Sequence, residues 1–277
     1  MWHAALASVA VGIAAAVLSV FVVLRKWAYL GDGISHAGFG GVGTALLLSI
    51  ALPALNNATA IYLIATAFCL ATAVAVAAIS RRRQVSGDAA IGIFVAATLA
   101  WGFIAFGIHA RLGRGTSAGW EQYLLGDLRT SAHSAILAAT ICAAVVLTVL
   151  LLGRQIVLYC FDPELAQVSG VPVGLVHYLL ILLVGLVIVI GMRLAGNLLV
   201  PALLVLPGAT GLAVSRKMRT VMTASILSAV AAALLGLCIT RAWSFILPGP
   251  AITLVLFLEF LIAYVYRKSY SSAAPPG

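Results

Sequence analysis

Nine stretches of this chain run for about 18–24 residues each with almost no charge, close to the roughly 20 apolar residues a helix needs to cross a bilayer. They cover residues 4–24, 33–55, 57–80, 89–109, 132–153, 174–192, 197–214, 220–240 and 248–266. Lipid must therefore be the solvent for most of the chain. Charged residues make up 8% of the 277, against about 25% in an ordinary soluble domain, and hydrophobic residues 64%. A soluble globule of this size could not hide so much apolar surface. A free cytosolic enzyme, a disordered chain and a nucleic-acid binder are excluded. The first stretch, 21 residues long, exceeds the about 7–15 of a signal-peptide core and reads as a span.

Helices are the expected element, because an open sheet edge cannot sit in hydrocarbon. A membrane β-barrel would alternate polar and apolar positions, whereas these runs are apolar on every face. The expected fold is an all-α polytopic bundle of about nine transmembrane helices, with eight to ten possible. It would form a single domain over 1–268, followed by a disordered polar tail over 269–277.

The net charge of +9 concerns topology more than partners. The odd-numbered stretches end at Arg25-Lys26, Arg81-Arg82-Arg83, Arg154, Arg216-Lys217-Arg219 and Arg267-Lys268, 11 basic residues in all. The opposite side holds five: Arg111, Arg114, Arg129, Arg193 and Arg241. Basic residues accumulate on the cytoplasmic side, so the N-terminus is expected outside and the C-terminus inside. Two loops are long. Residues 110–131, on the outer side, mix glycines with Trp120 and Tyr123, as in a short interfacial helix. Residues 154–173 lie on the cytoplasmic side. There Asp162, Pro163 and Glu164 read as N-cap, first helical residue and first-turn acid, and Gly170 and Pro172 as a stop. A short capped helix between two spans suits a docking element.

Polar groups within apolar runs are costly and therefore informative. Asp32 and His36 stand in LGDGISHAGFGGVG, where the second span begins. Four-residue spacing puts both on one helix face, where they can share a divalent metal or bond to each other. One copy supplies two ligands; two copies about a two-fold axis supply four. The alternative is an Asp that caps the helix beside a packed His. His3, His109, His133 and His177 read as interfacial or packed, and the four cysteines as small buried hydrophobes. Glu259 is the one acid deep inside a span, facing either a neighbouring helix or a polar path. Pro201 and Pro207, followed by Gly208 and Gly211, suggest a kinked helix that moves or lines a pore. GxxxxGK[ST], HExxH and CxxC are all missing from the sequence, which disfavours an ATPase, a metalloprotease and a redox enzyme.

Four blocks occur in a familiar order: LGDGISHAGFGGVG (30–43), EQYLLGDL (121–128), FDPELAQVSGVPV (161–173) and LLVPALLVLPGATGLAV (198–214), with LPGPAITLV (247–255) closing the chain. Together they resemble the membrane permease of ATP-binding-cassette importers for zinc, manganese or iron. The resemblance implies a permease dimer, homomeric or heteromeric, on two cytoplasmic ATP-binding subunits that hydrolyse ATP in its place. It implies an extracytoplasmic metal-binding protein, a place in the bacterial inner membrane, and a divalent metal as substrate with no permanently bound cofactor. Asp32 and His36 would line the metal path. Phe161, Asp162, Pro163, Glu164, Leu165 and Gly170 would belong to the ATPase-docking loop. The chain departs from the family's pattern in TRAWSFILPGP, which has Arg241 but no acid and has Pro248 where relatives carry Ser. It departs again at Gly208-Ala209, where relatives often have two alanines. A competing reading is a stand-alone secondary transporter or channel using Asp32, His36 and Glu259; it would leave the capped loop idle. A membrane-embedded enzyme is the third.

Overall fold

A computed structural model describes residues 2–81, 87–112, 132–195, 199–243, 246 and 248–273. The order is α1 (Trp2–Leu24), α2 (Leu30–Ala51), a 3-10 turn (Pro53–Leu55), α3 (Ala58–Arg81), α4 (Gly87–Arg111), α5 (Ala132–Phe161), α6 (Pro163–Val168), α7 (Val173–Ala195), α8 (Leu199–Val214), α9 (Met218–Ala242) and α10 (Pro248–Ala273). The described residues form helices and turns, without a strand. Each apolar stretch became a helix, and α6 occupies the capped loop. Among the described residues, seven helices are long and apolar enough to cross a membrane, against the nine expected, and two further apolar helical stretches run over Ser8–Leu24 and Leu199–Val214.

Two boundaries differ from expectation. α5 continues past Arg154 to Phe161, because Ile156, Tyr159 and Cys160 are buried; packing extends a helix that charge alone would end. α10 runs to Ala273, into the stretch read as a tail, and 274–277 lie outside the described residues. The loop at 110–131, with its interfacial helix, lies outside them from residue 113 on.

The chain forms two compact units: Met1–Ala28, Leu128–Val171 and Ala202–Gly277 make one, Tyr29–Asp127 and Pro172–Pro201 the other. In the second unit α2 packs against α3, α4 and α7. Its glycines allow that. A Cβ on Gly40 would stand 2.8 Å from the Thr98 carbonyl oxygen of α4, and one on Gly41 would stand 2.8 Å from Cα of Ala65 in α3. Bare backbone on α2 thus meets neighbouring helices on two sides, the close approach that small residues permit in membranes. Phe39 stacks at tilted angles on Phe103 and Phe106, with centroids 5.0 and 4.8 Å apart. His177 is buried and its Nε2 lies 3.0 Å from the Ala77 carbonyl oxygen, joining α7 to α3. It is a packed histidine, as read from the sequence.

In the first unit α1 packs against α5 and α9, and α9 against α10. α1 ends in a reversal: Trp27 N–H donates to the Val22 carbonyl and Lys26 N–H to that of Val23. Lys26 holds a left-handed φ of 57° at the position where glycine is usual. Cys69, Cys142 and Cys160 are buried as expected, but Cys238, near the end of α9, is exposed.

Candidate functional site

The start of α2 holds the acid and histidine singled out above. Asp32 is the third residue of α2, and its carboxylate sits in the first turn, where the helix dipole favours an anion. Tyr29 is the N-cap residue and no side chain caps the helix, so Asp32 is not spent on capping. Instead its Oδ1 lies 3.3 Å from His36 Nε2, one turn on. Ser35 turns inward and donates to the Asp32 carbonyl oxygen at 2.9 Å.

Burial separates this pair from its surroundings. From residue 30 to residue 43 every position is buried except Asp32 and His36, which are half-exposed. The two ionisable groups are therefore the accessible strip of an otherwise enclosed helix, with oxygen and imidazole nitrogen side by side. That donor set suits zinc, manganese and iron(II) alike. Among the described residues no group of three or more His, Cys, Asp or Glu side chains could hold a metal. Within one chain the pair offers two potential ligands.

The short helix α6 is built by local chemistry. Asp162 is extended (φ −149°, ψ 99°), and its Oδ1 accepts from the N–H groups of Glu164 at 2.9 Å and Leu165 at 3.0 Å. Such a cap contributes about 1 kcal/mol. Pro163, at the first helical position, lacks an N–H that would have gone unpaired there. At the other end Val171 N–H donates to the Ala166 carbonyl and Gly170 N–H to that of Gln167, with Gly170 at φ 79°. These paired bonds close the helix in a left-handed cap that glycine tolerates best. A single residue, Asp162, separates α6 from α5. Phe161 and Leu165 are exposed, and so is Val168, at 87% the most open large apolar side chain among the described residues. Val168 escaped the sequence reading, although its three-residue spacing from Leu165 puts both on one face.

Beneath this segment lies a clamp that sequence spacing does not reveal. The Arg25 guanidinium sits 4.5 Å from the centre of the Tyr159 ring and 5.4 Å from that of Trp27. Cation–π contacts of this kind contribute about 0.5–2 kcal/mol. They tie the end of α1 to α5 three residues before Asp162.

The two prolines of α8 differ in effect. Pro201 lies in the first described turn, where a missing N–H costs little; Pro207 is the one inside the helix. Gly208, next to it, is a contact point: a Cβ there would stand 2.6 Å from the carbonyl carbon of Ser19 and 2.8 Å from Val20 N. Glu259 faces a neighbouring helix, since its carboxylate accepts a hydrogen bond from the buried Ser228 hydroxyl of α9.

Comparison with known proteins follows the same lines. The model of the ABC 3 transport family matches residues 1–267. The manganese transport system membrane protein MntC of Halalkalibacterium halodurans is 31% identical over 262 residues, covering 94% of this chain and 85% of that protein. The chelated iron transport system membrane protein YfeD of Yersinia pestis is 32% identical over 271 residues, covering 96% and 85%. Among solved structures, PsaBC from Streptococcus pneumoniae in complex with Fab superposes with a TM-score of 0.77 at 30% identity, covering 95% of this chain and 90% of that one.

Proposed function

The chain belongs to the ABC 3 transport family, and from that premise we propose that it is the membrane permease subunit of an ATP-binding-cassette importer for divalent transition metals. Relatives named for manganese and for iron support those two substrates; the Asp/His donor set admits zinc as well. The observation that carries the reading is the strip on α2, where Asp32 and His36 alone are accessible between residues 30 and 43. Two permease chains about a two-fold axis bring two such strips together, making a four-ligand transient site for the ion. No cofactor is held permanently. ATP hydrolysis belongs to two cytoplasmic subunits, and metal arrives from an extracytoplasmic binding protein.

The permease sits in the bacterial inner membrane with nine spans, the N-terminus outside and the C-terminus inside, an orientation that the 11-to-5 division of basic residues supports. α1, 23 residues long, and the shorter α8 then cross as well. Ser117→Cys in a background without the four native cysteines tests this: an impermeant maleimide should label it from outside the cell. Labelling only after the cytoplasmic face is opened would reverse the topology.

α6 is the docking surface for the ATP-binding subunits. Its caps define both ends, Ala166 is buried against the chain, and its exposed apolar side chains at 161, 165 and 168 await a partner. Leu165→Asp should leave folding intact, because the side chain is 54% exposed. It places an uncompensated charge in the interface, at a cost of roughly 2–5 kcal/mol, so the ATP-binding subunits should no longer co-purify and uptake should fail. Glu164→Lys should act in the same direction. Normal assembly and transport in both variants would remove α6 from the interface.

A further inference from the structure

Arg216 and Arg267 entered above only as topology signals. Where α8 and α10 end, Leu212, Val214, Arg216, Ala263, Tyr266 and Arg267 line an open-sided cavity of about 480 Å³. That is within the roughly 300–1,000 Å³ of sites for small molecules. Its level is fixed by the helices: α8 stops at Val214, and the apolar span of α10 closes at Arg267. The cavity therefore lies where the chain passes from hydrocarbon to headgroups, whichever face of the membrane that is.

Its chemistry is divided. Leu212, Val214 and Ala263 make an apolar wall, and Arg216 and Arg267 supply two guanidinium groups. Among the described residues no acid lines it, and neither arginine has an acidic partner. A helix C-terminus repels anions through its free carbonyls; here Arg267 Nη1 donates to one of them, that of Leu212, at 3.2 Å. That bond masks the carbonyl and holds one guanidinium beside the cavity. Planar guanidinium groups match phosphate oxygens in pairs. A soluble anion would satisfy the arginines but leave the apolar wall in water. A lipid satisfies both.

We propose that this cavity binds the phosphate headgroup of an anionic phospholipid, its glycerol and upper acyl chain lying along Leu212, Val214 and Ala263. The site is separate from metal passage and from α6, and tying the ends of α8 and α10 to the headgroup layer makes helix packing there sensitive to lipid charge.

The intact transporter, purified with its partner subunits and reconstituted in phosphatidylcholine nanodiscs doped with phosphatidylglycerol, provides the test. Bound phosphatidylglycerol is counted by mass spectrometry after extraction. Wild type should be enriched in it over the surrounding bilayer. Arg216→Gln should weaken retention roughly fivefold, and Arg216→Gln with Arg267→Gln by the product of two such losses. If loss of the Leu212 contact unfolds the double variant, Arg216→Gln alone and Arg267→Lys, which keeps the charge, still give the reading. Lys217→Gln is the control, because Lys217 is exposed and does not line the cavity; an equal loss there would mean a diffuse basic surface and overturn the site. Displacement by inorganic phosphate would show a free-anion site instead. Loss of the ATP-binding subunits with lipid retention unchanged would assign the arginines to the partner interface. No enrichment in wild type would end the proposal.

Discussion

Asp32→Asn should abolish metal uptake while the protein still inserts and still assembles. The substitution keeps the volume and removes the anion. Partners that merely orient a ligand typically cost about 10–100-fold in metal affinity when lost, so loss of the ligand itself should cost at least the upper end of that range. The effect doubles up if two chains contribute, because both Asp32 residues change at once. Uptake of radioactive manganese or iron into cells, measured beside the amount of assembled transporter in the membrane, separates transport from folding. His36→Ala should act likewise but less completely, since the carboxylate with its charge remains. Normal uptake in both variants would leave Asp32 and His36 as a bonded pair within one helix, 3.3 Å apart, with no part in the path.

Gly208→Val should yield almost no folded protein. The added Cβ would lie 2.6 Å from the Ser19 carbonyl carbon and 2.8 Å from Val20 N. These are backbone atoms of α1, so no side chain can swing aside, and the two helices must separate. Overpacking a well-filled contact costs about 1–3 kcal/mol and more where backbone is the obstacle. Gly208→Ala should sit near the upper end of that range, and Val beyond it. Gly107→Ala and Gly153→Ala are the controls: nothing lies within 4 Å of a Cβ at either position, so each should be neutral or gain up to about 1 kcal/mol of helix propensity. Thermal unfolding of the detergent-extracted chain reads the series. A Gly208→Val variant as stable as the controls would disprove the close crossing of α1 and α8.

What the sequence makes legible here is what local chemistry decides. Asp162, Pro163 and Gly170 each act on atoms within a few residues, so the caps of α6 could be read directly, as could the shared face of Asp32 and His36. Apolar runs located the helices for a similar reason, since hydrocarbon leaves the backbone few choices. Length was less well served. Arg154 looks like the end of a span, yet α5 continues because Tyr159 meets Arg25, a residue more than a hundred positions away in the chain. Gly208, read beside Pro207 as part of a kinked helix, is in addition a point of close helix contact that the sequence does not announce. Arg216 and Arg267 looked like topology signals, and only folding sets both beside one cavity. Pairings made in three dimensions leave no periodicity to read.

The single residue between α5 and α6 has a mechanical consequence. α5 has 30 residues, a rod about 45 Å long at 1.5 Å per residue. With so short a joint, a tilt imposed on α6 has little slack in which to dissipate before it reaches the rod. A rotation of about 10° at that end displaces the far end of a 45 Å rod by roughly 8 Å, more than a full helical turn. A six-residue helix is thus the short arm of a lever, and Asp162 is where its stiffness is decided.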